Sequence, residues 1–122
     1  MTTAAKTRRA EESALERAVA LCRERKVLIP TFAQLRDPSG VPETVLRRLA
    51  KTDISAVDPA NLFRITWKND VKTGLFGDVN FLELPTSLTG VEARVVGLVG
   101  KHFPTGAHKV GAAFGCLVPR LV

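Results

Sequence analysis

One lysine at the start of a helical run sets the chemistry this chain could do. The stretch Thr105-Gly106-Ala107-His108-Lys109 follows an apolar, β-branched run and precedes a run of small residues with helical character. Thr105 suits an N-cap, because its hydroxyl can accept from a free backbone N–H in the first turn. Gly106 to Lys109 would then form that turn. The partial positive charge of a helix N-terminus disfavours a nearby ammonium, and burial disfavours it further. An amine held in that way is a nucleophile that condenses with a carbonyl to give a Schiff base. The same helix end favours an anion such as a phosphate. A carbonyl compound carrying a phosphate group would satisfy both tendencies. The reading expects Lys109 to be enclosed and fed by a buried strand.

The same five residues carry a family resemblance. Thr105-Gly106-Ala107-His108-Lys109 resembles the cofactor-lysine motif of the tryptophan synthase beta subunit. More widely it is similar to the fold-type II enzymes dependent on pyridoxal 5'-phosphate (PLP), which include cysteine synthase and threonine synthase. In that family the lysine follows a short strand and loop and opens a helix, as Val95 to Val99 and then Gly100 to Pro104 would here. Glu83-Leu84-Pro85-Thr86-Ser87-Leu88 resembles the proline-containing segment at the start of the family's catalytic region. The resemblance covers residues 81–122 and implies that Lys109 holds PLP as a Schiff base, with His108 beside the cofactor phosphate and Thr105 close by. It implies a lyase or synthase of amino-acid metabolism, with an amino acid as its small-molecule substrate and β-elimination or β-replacement as the reaction. Val110, Gly111, Ala112 and Ala113 stand where tryptophan synthase has an asparagine pair, so no residue is assigned to the cofactor hydroxyl. Family members are several times longer than the 122 residues present. The expectation is therefore an N-terminal portion, inactive alone, whose complement is a C-terminal portion or a homo-oligomeric partner.

Other chemistries find less support. Gly97, Gly100, Gly106 and Gly111 do not give a dinucleotide fingerprint, and Gly100-Lys101-His102 lacks the earlier glycine and the hydroxyl residue of a phosphate loop. Lys72 to Gly77 matches no phosphate cradle and reads as a surface turn. His102 and His108 have no acidic or cysteine companion at ligand spacing, so no metal site is expected. Cys22 and Cys116 match no metal or redox spacing and are expected to be small buried hydrophobes in a reducing cytoplasm. A net charge of +6 could attract nucleic acid. Yet with no Tyr and one Trp, and no nucleic-acid-binding motif, no nucleic-acid partner is expected. No apolar run is long enough for a membrane span, and Met1 to Arg9 is too polar and basic for a secretory signal. A cytoplasmic location follows.

The elements that must position Lys109 are then read from periodicity. Leu15, Ala18, Val19 and Cys22 form one stripe of an amphipathic helix over about Ala10 to Lys26. The alternative function is a non-catalytic interaction module or fragment that binds a partner through this basic helix; packing on its own domain is the plainer expectation. A short helix is predicted from Pro42 to Ala50, with Pro42 at its first position. Phe63, Ile65 and Trp67 alternate with Arg64, Thr66 and Lys68, which predicts an extended segment. Further extended segments are expected at Val79 to Leu84 and Glu92 to Val99, the latter a buried strand of an α/β layer. Gly111, Ala112 and Gly115 give the last helix a small-residue face, and Pro119 is expected to stop or kink it. The fold class is α/β, a partial N-terminal segment of a tryptophan synthase beta-like PLP-dependent fold. Residues 1–60 would be an N-terminal helical extension, and residues 61–122 the start of the catalytic region.

Overall fold

Helices come first and a small sheet follows, in a computed structural model that describes residues 3–121, with side chains described over residues 12–118. The chain is a small mixed helix and strand domain. Helix α1 spans Thr3–Glu24. It begins earlier than the periodicity predicts, and two residues past its end Lys26 is left-handed. The side chains of the Met1 to Arg9 stretch and of Pro119 lie outside the described residues. Among the described residues no helix is long and apolar enough to cross a membrane.

Helix α2 spans Phe32–Arg36 and owes its start to a capping box: Thr31 accepts from the Gln34 N–H, and Gln34 accepts from the Thr31 N–H. Helix α3 spans Glu43–Leu49, with Pro42 at its N-cap position rather than inside it. Val45 and Leu49 turn inward there and meet Val41, Ala60 and Phe63 in the first apolar cluster. Leu49 is fully buried.

The expectation of an extended segment at residues 63–67 is corrected. Pro59–Arg64 is a 3-10 helix, started by Asp58, whose carboxylate accepts from the Ala60 N–H. The alternation of apolar and polar residues does not mark two faces. Phe63 and Ile65 are buried, but so are Arg64 and Thr66. The reason is hydrogen bonding: Arg64 reaches the carbonyls of Leu49, Thr52 and Gly74 and the side-chain oxygen of Asn61. A polar side chain satisfied in this way can be interior.

Strand β1 (Phe81–Leu84) pairs with strand β2 (Val95–Leu98) in an antiparallel ribbon, with Phe81 opposite Leu98 and Leu84 opposite Val95. Between them lies the one-turn helix α4 (Thr86–Thr89), which ends at Gly90 in the left-handed region. Arg94 donates to Glu83 across the ribbon at 3.0 Å. The expected buried strand at residues 92–99 is also corrected. β2 is shorter, antiparallel, and exposed at Val96 and Leu98, because no further layer covers it among the described residues. Helix α5 spans Lys109–Leu121 and runs through Pro119. That proline has no N–H to donate to the Gly115 carbonyl, yet the helix continues two residues past it. Phe114 on α5 joins Phe103 and Ile65 in the second apolar cluster, with Trp67 and Val110 packed against it. Cys116 is exposed and Cys22 half-buried, so neither is the buried hydrophobe expected.

Candidate functional site

The segment that carries His108 and Lys109 is a loop anchored by one aromatic residue. Two short 3-10 turns, Gly100–His102 and Pro104–Gly106, lead from β2 to α5. Phe103 lies between them and is buried, 3% exposed. Its ring meets Trp67 edge to face, with centroids 4.9 Å apart, a favoured geometry for an aromatic pair. Asn69 adds a polar anchor. Its amide nitrogen donates to the carbonyls of Arg64, Thr66 and His102, the last at 2.8 Å. The loop is thereby tied to the segment after the 3-10 helix by both apolar and polar contacts. The Oδ1 of Asn69 is buried without a hydrogen-bond partner among the described residues.

Thr105 does not cap α5. It sits in the left-handed region with φ 63°, followed by Gly106 at φ 73°. That pair turns the chain, and three residues separate Thr105 from the helix proper. The Thr105 N–H points to the carbonyl of Ile54 at 3.4 Å, while Gly106 N–H donates to Phe103 at 2.9 Å. Thr105 is displaced from the cap because Ala107 is extended. Instead the first turn of α5 is closed by its own backbone, with Val110 N–H donating to Ala107 and Gly111 N–H to His108.

Lys109 is the first residue of α5, and both it and His108 are exposed. The strand–loop–helix order expected around the lysine is present, from β2 through residues 99–108 to α5. The enclosure expected of Lys109 is not supplied by the described residues. Thr105 is exposed too, and its turn sets it apart from the adjacent His108 and Lys109.

Two residues that sequence reasoning passed over stand next to His108. The first is Gly100: a Cβ on it would lie 2.7 Å from the His108 Cβ and 3.0 Å from Nδ1. The second is Trp67, whose ring centroid is 6.0 Å from that of the imidazole with the planes 30° apart. On the other side of Lys109, a Cβ on Gly111 would lie 3.3 Å from both Ile65 and Phe103. Within the small-residue face, then, Gly111 makes a close approach, whereas Gly115 has open space around it. Trp67 was visible as the only tryptophan, but its contact with His108 spans 41 residues and leaves no local pattern.

A separate cleft of about 480 Å³ is lined by Arg64, Asn69, Lys72, Lys101 and His102, among others. His108 and Lys109 do not line it. Burial pulls the Arg64 guanidinium below its usual value, with nearby Asp53 acting in the opposite sense. Among the described residues no group of His, Cys, Asp and Glu could hold a metal ion. Compared with protein families, with curated proteins and with solved structures, the chain finds no match.

Proposed function

We propose that Lys109 is the cofactor lysine of a PLP-dependent enzyme that acts on an amino acid by β-elimination or β-replacement. The observation that carries this reading is the place of Lys109 at the opening of α5, with His108 immediately before it. The order of strand, glycine-containing loop and lysine-bearing helix supports it, as does Pro85 at the start of the turn between β1 and β2. An accessible primary amine beside an imidazole is a donor set that suits a phosphorylated aldehyde. PLP, when bound, supplies an electron sink that acidifies the α-proton of an amino acid.

The roles of this chain's residues follow from their chemistry. Lys109 Nζ would bind the aldehyde carbon covalently and, once released by the substrate amine, take the proton from the α-carbon. His108 would stand at the phosphate, where an imidazole N–H can donate to an anionic oxygen. Thr105 would offer its hydroxyl from the turn before them. The reading also requires a cover for Lys109, which must come from a further stretch of polypeptide or a second copy. Exposed Phe81, Leu82, Val96, Leu98 and Leu117 are apolar surface suited to such a cover. Their burial would stabilise the assembly by about 25 cal/mol for each Å² removed from water.

Borohydride reduction after incubation with PLP tests the assignment. Peptide mapping of the complete protein is expected to find the reduced adduct on Lys109, and Lys109→Ala to abolish it. Labelling spread evenly over the other lysines would exclude the assignment.

A second reading, a non-catalytic module that binds a partner through α1, is favoured by one observation. Leu15, Val19 and Leu21 on that helix are exposed rather than packed on the domain. It expects no selective adduct, and retention of a partner that is lost when these three residues are replaced by serine.

A further inference from the structure

An imidazole at the junction of a loop and a helix, exposed to water, would ordinarily exchange among several rotamers, and fixing one of them costs entropy. His108 is not left in that condition. The bare backbone of Gly100 lies where any other residue would collide with it, since a Cβ there would sit 2.7 Å from the His108 Cβ. The indole of Trp67 lies at a tilt beside the ring, 6.0 Å between centroids. Trp67 is itself held by buried Phe103 at 4.9 Å. Phe103 also reaches the far side of Lys109, where Gly111 leaves room for its ring. The residue before Lys109 and the residue two after it are therefore pinned by one aromatic pair.

We propose that Trp67 and Gly100 are positioning residues: they fix the His108 imidazole, and with Phe103 they fix the backbone on either side of Lys109, so that the lysine amine keeps only its own side-chain freedom. The inference rests on the cofactor reading of Lys109. Its physical content is preorganisation: a nucleophile whose backbone is already set loses less entropy when it reaches its target. Neither residue need touch the cofactor. Gly100 acts by the absence of a side chain and Trp67 by the placement of its ring.

The test uses the complete protein with Gly100→Ala, Trp67→Ala and Trp67→Phe, and two readouts. The first, taken without PLP, is the pair of His108 ring-proton resonances in NMR, assigned by loss in His108→Asn. The indole ring current should displace them from those of His102. The second is the rate of borohydride-trapped PLP labelling at Lys109. Gly100→Ala and Trp67→Ala should both move the His108 resonances toward those of a free histidine. Both should slow labelling on the order of tenfold. Trp67→Phe should restore the rate, because a ring remains against the imidazole. If Gly100→Ala fails to fold, the Trp67 pair decides. Unchanged His108 resonances in a folded variant, or equal labelling in Trp67→Ala and Trp67→Phe, would overturn the proposal. No selective labelling of the unaltered protein, with resonances that still respond to Gly100→Ala, would remove the cofactor reading and leave the clamp on His108 standing.

Discussion

Arg64 is the residue whose loss should be felt most widely. The residue is 4% exposed, and its guanidinium donates to three backbone carbonyls, at 2.8–3.0 Å, as well as to Asn61. Those carbonyls belong to α3, to the turn after it and to the tight turn at Gly74. One planar fork thus joins three segments, a geometry a lysine ammonium cannot reproduce. Arg64→Met would leave several buried acceptors without donors, and at about 1–3 kcal/mol for each such group the variant should unfold at a markedly lower urea concentration. Asp58 offers a milder case. The Ala60 N–H, and then Arg48, hold its carboxyl below the usual carboxylate range, against the effect of burial. A carboxyl depressed by folding contributes stability that is complete above its unfolded value and is lost as pH falls through its folded value. Asp58→Ala should cost about 1 kcal/mol at neutral pH. In acid titrations followed by circular dichroism, the variant should lose less stability below pH 4 than the parent does.

The elements differ in how far the sequence exposes them. Pro42 at its start and inward Val45 and Leu49 made α3 legible, and the separate apolar runs made β1 and β2 legible. What misled was the segment after Pro59. Its alternating pattern does not mark two faces, because Arg64 and Thr66 are interior as well: Arg64 is held by carbonyls distant in sequence, and Thr66 accepts from the Lys68 N–H, partners that leave no periodic trace. Thr105 misled for a related reason: it is a good capping residue by type, yet the left-handed turn it makes with Gly106 moves the helix start onward to Lys109. The candidate site was legible as two adjacent residues, His108 and Lys109, but not as a packed unit, since Gly100 and Trp67 meet it only through tertiary contact. Two outcomes belong to this scale. Gly90 closes α4 at φ 69° with nothing near its missing side chain, so Gly90→Ala should destabilise the hairpin by about 1 kcal/mol through backbone strain alone. α1 should behave in the opposite way. With Leu15, Val19 and Leu21 exposed, deleting residues 1–24 should leave the thermal midpoint of the remainder nearly unchanged.

As a whole, the molecule keeps its apolar interior small and divided. One cluster gathers around Leu49 and Phe63, the other around Phe103 and Phe114. Leu49→Ala should therefore cost about 2–5 kcal/mol, enough to unfold a domain of this size, and a loss of the cooperative melting transition would show it. Hydrogen exchange should find the slowest amides in α3 and the 3-10 helix. The β1–β2 ribbon, uncovered among the described residues, should exchange quickly until something docks on it. The single indole of the chain stands beside His108, with 6.0 Å between the ring centroids. The protein consequently has an optical gauge built in: any chromophore that becomes attached to the neighbouring amine and absorbs in the range of indole emission will dim that fluorescence by energy transfer, so occupancy could be followed by light without a label.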